Sequence, residues 1–321
     1  MNRCMIIIPY FGKFNSYFHL FLNSCRHNPD FDWLIFTDDR RYFDYPENVT
    51  VKYTDFDKMR SYIQQHFNFK ITLKKPYKLC DYKIAYGDIF KEYITGYEFW
   101  GFCDTDLIFG HLKQFITDEV LDTYDKILFR GHLVLMRNNS ACRKLYKTRM
   151  RGMPADYRFV YKTNYCCHFD ENEMWHVITK KRGIREWNQV VYADIDCNSF
   201  SFHAVQGTCG KAKQIYLYHN GAVYRFYMVG GGNVKKDEWA YIHLQKRHMK
   251  AENIKNINHY MIVPNCFING TDAMNAEFIV QNAPEGVLYI RRRIERMKEI
   301  VTNVKNGAIR YRIHRRMNGG I

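Results

Sequence analysis

The sequence predicts an α/β protein built on a Rossmann-type mixed sheet with helices on both faces, followed by a basic helical extension. From its start to residue 110, the chain alternates apolar segments of strand length with amphipathic segments of helix length. Such alternation is typical of a sheet whose strands are connected by helices that cover its two faces. The chain has 321 residues, of which 46% are hydrophobic and 17% aromatic, enough for one large core with a small appendage.

The predicted elements follow from hydrophobic periodicity along the chain. Short apolar runs predict strands at 4–9, 33–37 and 49–53, and in the aromatic run that begins at residue 99. Helical spacing of apolar residues predicts helices at 16–27, 57–67 and 81–93. Further along, alternation predicts one continuous strand over 126–137, followed by helices at 140–147 and around Trp175. His132 lies within that long strand; a histidine whose hydrogen bonds the backbone satisfies is the preferred interpretation, and a substrate contact is the alternative.

Two carboxylates, Asp104 and Asp106, interrupt the apolar run that begins at residue 99. Because side chains on a strand alternate between faces, both carboxylates point the same way. Burying like charges costs several kcal/mol unless a cation neutralises them, and a divalent metal ion with phosphate as co-ligand is a common solution. Parallel sheets bind ligands at the carboxyl ends of their strands, where Asp38 and Asp39 are also expected. The sequence therefore predicts a metal and ligand site at this edge.

Other cofactor motifs are absent from the sequence. The first strand runs into Pro9-Tyr10-Phe11-Gly12, a surface suited to a nucleotide base, but no Gly-x-Gly-x-x-Gly or Walker-type loop follows. The ten cysteines lack the spacing of zinc ligands. Carboxylates suit Mn²⁺ or Mg²⁺, so these ions are the expected cofactors.

Two segments of the chain resemble the core of the GT-A-type glycosyltransferases. They are residues 75–87 (KPYKLCDYKIAYG) and 99–106 (FWGFCDTD), and the similarity extends in particular to bacterial glycosyltransferase-like proteins of surface polysaccharide gene clusters. The resemblance implies a GT-A-like fold and the transfer of a sugar from a nucleotide-sugar donor to a glycan or lipid-linked glycan acceptor. It further implies that Asp104 and Asp106 hold the metal ion, while Asp81 and Lys83 contact the donor.

The expected donor site includes residues from other segments. Lys83 stands where many sugar transferases have arginine, which keeps the positive charge but loses a bidentate contact. Pro9, Tyr10 and Asp38 are expected at the same edge of the sheet and complete the predicted donor-binding set.

Two acids, Asp170 and Glu171, precede the helix expected around Trp175. Acids at a helix start complement the positive end of its dipole, so a capping role is one interpretation. By resemblance to inverting GT-A enzymes, one of the two is instead the general base that deprotonates the acceptor hydroxyl. The sequence leaves both interpretations open and does not separate the two residues.

A late motif, Tyr-x-His-x-Gln-Lys-Arg at residues 241–247, also occurs in the resembling proteins. By that resemblance His243 is expected as a third metal ligand, and Lys246 or Arg247 as a clamp on the diphosphate. The alternative is a core histidine beside a solvated basic pair. The three glycines at 230–232 predict a mobile loop, which beside a reaction site often acts as a lid.

The expected domain organisation is a catalytic domain over 1–250, with a nucleotide-sugar half at 1–110 and an acceptor half at 111–250, and a basic extension over 251–321. The net charge is +15, and residues 286–321 contain ten Lys or Arg against two Glu, a net +8. This segment mixes apolar and basic residues at near-helical spacing. Two interpretations remain open: it lies on an anionic membrane surface, or it packs its apolar stripe on the catalytic domain.

The sequence also indicates the expected cellular compartment and the alternative functions. Met1 lies only a few residues before the first strand, so no secretory leader is expected. Ten cysteines without a disulfide framework favour a reducing cytoplasm. Peripheral attachment to the inner face of the plasma membrane is a further option.

One alternative function is a metal-dependent phosphohydrolase that uses the same Asp-x-Asp pair, although that motif belongs on the first strand of the phosphohydrolase fold. A nucleic-acid-binding protein would use the positive charge, but no recognition module is present and no nucleic-acid partner is expected.

Overall fold

A computed structural model describes residues 2–313 except 152, 154, 172–173, 206–210, 252–253, 285–289 and 310. The strands are β1 (Cys4–Tyr10), β2 (Phe31–Thr37), β3 (Val49–Tyr53), β4 (Phe99–Cys103), β5 (Leu107–Phe109), β6 (Lys126–Ile127), β7 (Leu133–Arg137), β8 (Glu186–Trp187), β9 (Tyr192–Asp194), β10 (Gln214–His219), β11 (Ala222–Met228), β12 (Val234–Trp239), β13 (Tyr241–His243), β14 (His259–Val263) and β15 (Cys266–Asn269). The α-helices are α1 (Phe18–Arg26), α2 (Phe56–Gln65), α3 (Tyr86–Ile89), α4 (Leu112–Phe115), α5 (Asp118–Thr123), α6 (Ser140–Arg143), α7 (Tyr157–Lys162), α8 (Met174–Lys181), α9 (Ala276–Asn282) and α10 (Ile290–Lys305). Shorter 3₁₀ segments lie at Pro76–Ala85, Lys91–Ile94, Leu145–Lys147 and Gly230–Gly232.

The central sheet has the strand order β3-β2-β1-β4-β7-β6-β8. Strands β3, β2, β1 and β4 run parallel, and β7 pairs antiparallel with β4. Strand side chains alternate between two buried layers: Ile7 and Phe102 pack in one layer with α2, while Ile6 and Trp33 pack in the other with α1. The predicted α/β fold, with a mixed sheet and helices on both faces, is therefore confirmed.

Two local predictions around the site are wrong. The strand expected over 126–137 is interrupted, because Leu128 adopts a left-handed φ of 63° and the chain turns back, so that β6 and β7 pair antiparallel. The helix expected over 81–93 is mostly a 3₁₀ helix that begins at Pro76. A 3₁₀ helix brings side chains three apart onto one edge. That edge carries four residues which line a common cavity, namely Tyr77, Cys80, Lys83 and Tyr86.

Two further sheets extend the central one. Strands β12-β11-β10-β14-β15 form an antiparallel sheet, and β5-β13-β9 form a small sheet that continues from the Asp104–Asp106 segment. Since β14 pairs with β10, and α9 buries Ile279 against the same sheet, the predicted domain boundary at residue 250 is wrong. The glycines at 230–232 form the turn of the β11–β12 hairpin and are not among the cavity-lining residues, so the lid prediction fails as well.

Helix α10 follows the antiparallel sheet, and a turn after it leads to Tyr311, which is buried and packs against Phe159. Within the described residues, every helix is too short or too polar to traverse a lipid bilayer. The predicted basic extension over 251–321 thus contributes β14, β15 and α9 as well as the amphipathic helix α10, and its last residues, from 314 on, lie outside the described part of the chain.

Candidate metal and ligand site

A cavity of about 1170 Å³ opens at the carboxyl ends of β1 and β4, the edge at which the sequence predicts the ligand site. The predicted site residues that line it are Pro9, Tyr10, Lys83, Asp104, Asp106, Asp170, Glu171, His243, Lys246 and Arg247. Two predicted residues, Asp38 and Asp81, are not among the lining residues. The volume lies slightly above the range of about 300–1,000 Å³ that is typical of small-molecule pockets, so a small organic ligand would fit.

The centre of the cavity is a cluster of Asp104, Asp106 and His243. The two aspartates lie in the short connection from β4 to β5, and β13 pairs antiparallel with β5 so that His243 stands opposite Leu107. His243 Nε2 consequently lies 3.3 Å from Asp106 Oδ1. One potential ligand atom from each of the three side chains lies within 4.8 Å of the others, a spacing at which they could hold a metal ion.

A second acid, Asp194, orients the histidine. Strand β9 runs parallel to β13 and places Asp194 beside His243, where Asp194 Oδ1 lies 2.8 Å from His243 Nδ1. Gln245 donates a further hydrogen bond to the same carboxylate. A carboxylate on Nδ1 fixes the ring so that Nε2 faces the ligand position, which is the usual arrangement behind a metal-bound histidine. Asp194 is only 6% exposed, so this contact is shielded from solvent.

The charges in the cluster shift each other's pKa values. Burial acts to lower the pKa of His243, but the negative charges of Asp106 and Asp194 outweigh it and raise the pKa to about 10. Burial acts to raise the pKa of Asp106, but the charge of His243 lowers it to about 2. In the metal-free protein, the proton on His243 therefore partly substitutes for a cation.

The metal-induced rise in melting temperature is expected to be larger at about pH 8 than at about pH 6, because a metal ion on Nε2 must displace a proton. With a folded pKa near 10, His243 stabilises the metal-free fold most below its unfolded pKa of about 6.5, and this contribution is lost as pH rises through the folded value. The proton competes less at higher pH, so an Mn²⁺ ion held by this cluster would stabilise the fold more as the pH increases. Thermal unfolding with and without Mn²⁺ at both pH values measures this rise in melting temperature. An equal or larger rise at pH 6 would contradict His243 as a metal ligand.

Lys83 bridges Asp104 of the cluster to Asp170. Its Nζ lies 2.7 Å from Asp104 Oδ1 and 3.5 Å from Asp170 Oδ2, and it donates a hydrogen bond to the carbonyl of Gly131. Burial acts to lower the pKa of Lys83, but the two carboxylates raise it well above its usual value. Burial also raises the pKa of Asp104 and, more strongly, that of Asp170. A Cβ on Gly131 would lie 2.5 Å from Asp170 Oδ2, so this close approach requires glycine.

Two further observations indicate that the cluster could hold a divalent cation. Asp106 Oδ1 is buried and accepts no well-aligned hydrogen bond among the described residues, which leaves a carboxylate lone pair directed at the cluster. Four carboxyl groups, from Asp104, Asp106, Asp170 and Asp194, face one lysine and one histidine. An added cation would balance this excess of acid.

The environment of His132 differs from the one predicted. Its Nδ1 lies 3.0 Å from the hydroxyl of Tyr241 rather than on a backbone group, and its Nε2 is buried without a hydrogen-bond partner in the described chain. Its ring centre is 4.5 Å from that of His243. Burial, reinforced by the charge on His243, lowers the pKa of His132 well below its usual value, so the ring is neutral.

The two basic residues of the late motif have different environments. Gln245 and Lys246 adopt left-handed φ values of 35° and 43°, and this turn lets the backbone N–H of Lys246 donate a hydrogen bond to Asp106 Oδ2. The side chain of Lys246 is partly exposed at the cavity. Arg247 instead donates hydrogen bonds to the carbonyls of Asp196, Ser199, Phe200 and Ser201. The prediction of Arg247 as a phosphate clamp is therefore wrong, because these bonds hold the 196–201 loop.

Two other predicted donor residues, Asp81 and Asp38, lie outside the cavity lining. Asp81 is fully buried, pairs with Lys78 at 2.6 Å and accepts hydrogen bonds from the backbone of Cys167 and Phe169. It therefore positions the segment that leads to Asp170 instead of contacting a ligand. Asp38 accepts a hydrogen bond from the backbone N–H of Gly12, where a φ of 105° requires glycine, and so stabilises the turn after β1.

Sequence reasoning missed several residues of the cavity. Asp194 and Asp196 form a second Asp-x-Asp that ends an apolar strand, the same signal that identified Asp104 and Asp106. Tyr77 and Cys80 required the 3₁₀ periodicity to be recognised. His168 also lines the cavity, at a left-handed φ of 52°. No pattern in the sequence marks that position.

The chain was compared with models of known protein families. The model of a family of unknown function, DUF6625, matches residues 6–271. The chain belongs to this family. The matched DUF6625 region begins within β1, contains the other strands of the three sheets and the Asp104, Asp106 and His243 cluster, and ends before α9. Among curated proteins, none matches the chain.

Proposed function

We propose that this chain is a metal-dependent glycosyltransferase that moves a sugar from a nucleotide-sugar donor to a glycan acceptor in bacterial surface polysaccharide synthesis. The observation that carries the proposal is the Asp104, Asp106 and His243 cluster at the carboxyl ends of the parallel strands of the central sheet. The cluster opens into a cavity large enough for a nucleotide sugar. The proposed compartment is the cytoplasm, as expected from the cysteine pattern.

In the proposed reaction, Asp104, Asp106 and His243 would hold Mn²⁺ or Mg²⁺, which would supply positive charge to the departing nucleoside diphosphate. Asp194 would keep the imidazole of His243 oriented for this role. Lys246 lies beside the cluster with its side chain at the cavity, where its ammonium group can bind a phosphate oxygen. Pro9 and Tyr10 line the same cavity and offer a surface for the base.

The acceptor hydroxyl needs a base, and both predicted acids line the cavity. Asp170 is 5% exposed and is held by Lys83, whereas the side chain of Glu171 is 43% exposed. The raised pKa of Asp170 would make it a stronger base once ionised, and the exposure of Glu171 gives it freer access to an acceptor. The proposal assigns the proton transfer to this pair of residues.

A panel of nucleoside diphosphates and nucleotide sugars, each with and without Mn²⁺, tests the function by thermal shift. At a ligand concentration about a hundredfold above Kd, the free energy of unfolding rises by about 2.7 kcal/mol. We expect one nucleotide family to stabilise the protein only when Mn²⁺ is present. Metal-dependent release of phosphate from small phosphate esters, without nucleotide selectivity, would instead indicate a phosphohydrolase, and salt-sensitive binding of oligonucleotides would indicate a nucleic-acid-binding protein.

A further inference from the structure

Helix α10 contacts the rest of the protein through its polar side. Glu295 Oε1 lies 3.1 Å from His248 Nε2, and Glu299 Oε1 lies 3.6 Å from Lys246 Nζ. Residues four apart lie on one face of an α-helix, so these two contacts define the inward face. Lys246 and His248 both line the cavity, and α10 therefore sits beside the cavity mouth.

Four apolar side chains in the described part of α10 face away from the protein. Ile294, Met297, Val301 and Val304 are 49%, 67%, 51% and 57% exposed. Their spacing of three, four and three residues places them along one stripe. At about 100° per residue, this stripe lies on the side of the helix opposite Glu295 and Glu299. One of the two interpretations from the sequence was that the apolar stripe packs on the catalytic domain. In α10, the stripe is instead exposed.

Basic residues border the exposed stripe. Arg293 and Arg296 lie on one side and Lys298 and Lys305 on the other, and all four are exposed. The segment from 286 to 321 carries a net +8, more than half of the charge of the whole protein. A second copy of this chain would bring the same positive charge against the stripe, which disfavours self-association. An anionic surface complements it.

We propose that α10 binds an anionic lipid bilayer, with its apolar stripe in the interface between headgroups and acyl chains. Basic side chains on both sides of the stripe would then contact the lipid phosphates. The outward stripe and inward acidic face mean that the helix can bind lipid without leaving the protein. This inference does not depend on the proposed transferase activity. It does place the cavity mouth close to the lipid surface.

Flotation of the full chain with lipid vesicles tests the proposal. The vesicles contain either phosphatidylcholine alone or phosphatidylcholine mixed with phosphatidylglycerol. The test variant is Met297→Gln/Val301→Gln, and the matched control is Thr302→Gln, an exposed neighbour outside the stripe. We expect the wild type to float with the anionic vesicles, the double variant to lose about tenfold or more in partitioning, and the control to bind like the wild type. Arg296→Gln should lower partitioning by about fivefold, the value of one basic charge at the surface.

Three results would overturn the proposal. They are failure of the wild type to float, equal flotation with neutral and anionic vesicles, and unchanged flotation of the double variant. A dimer in solution that the double variant dissociates would show that the stripe binds a second copy instead. Since α10 side chains in the stripe are exposed, circular dichroism should be the same for all variants, and loss of binding then reports the surface itself.

Discussion

The Asp106→Asn variant is expected to lose metal-dependent nucleotide binding and to retain at most about one hundredth of the wild-type transfer rate, because metal-borne charge stabilisation contributes several kcal/mol to such reactions. Asp106 contributes the carboxylate nearest His243 and accepts the hydrogen bond from the Lys246 backbone. An amide at this position keeps the shape but removes the charge that binds the cation. Calorimetric titration with Mn²⁺ and the selected nucleoside diphosphate, followed by a transfer assay, measures both effects.

The matched control for this substitution is Asp44→Asn. The side chain of Asp44 is 81% exposed and pairs with Arg26 at the surface. The control therefore makes the same Asp-to-Asn change outside the cavity. Wild-type metal binding is expected for the control. Retention of tight metal binding and full transfer in Asp106→Asn would contradict the assignment of the cluster.

The Lys83→Met variant is expected to lose about 3 kcal/mol of unfolding free energy, because it leaves the buried carboxylate of Asp170 without its cation. Asp104 loses the same partner, but its side chain is 37% exposed and can be hydrated from the cavity. Asp170 has only 4% of its side chain exposed. Urea-induced unfolding of the metal-free proteins at neutral pH measures the loss.

Two double variants separate the contributions to this effect. Lys83→Met/Asp170→Asn removes the buried acid and should recover most of the lost stability. Lys83→Met/Asp104→Asn changes the more exposed partner and should recover less. Equal recovery in the two double variants, or no loss in Lys83→Met alone, would contradict the charge arrangement described for the cavity.

The sequence was sufficient for those parts of the fold and site that depend on local patterns. The strand at 49–53 and the alternation of buried faces follow from period-two apolar residues, and the Asp104–Asp106 pair follows from acids at a strand end. His243 was predicted from a motif, and the pairing of β13 with β5 brings it to Asp106.

Other features depend on contacts between distant segments. The hydrogen bonds that Asp81 accepts from the backbone of Cys167 and Phe169 join residues more than eighty positions apart, and no periodicity encodes them. Arg247 looked like a ligand contact because a sequence does not reveal which basic side chain finds carbonyl partners inside the protein. The interruption of the 126–137 strand at Leu128 likewise follows from tertiary packing rather than from local preference.

Electron–nuclear double resonance on Mn²⁺ bound to the protein together with a nucleoside diphosphate tests the central claim most directly, since it detects the nuclei in contact with the ion. The account predicts hyperfine coupling to ¹⁴N from His243 and to ³¹P from the diphosphate in the same complex. A His243→Ala variant should lose the nitrogen coupling and retain the phosphorus coupling, with weaker binding. Bound Mn²⁺ with neither coupling, or with water protons alone, would contradict a metal centre that joins this cluster to a diphosphate.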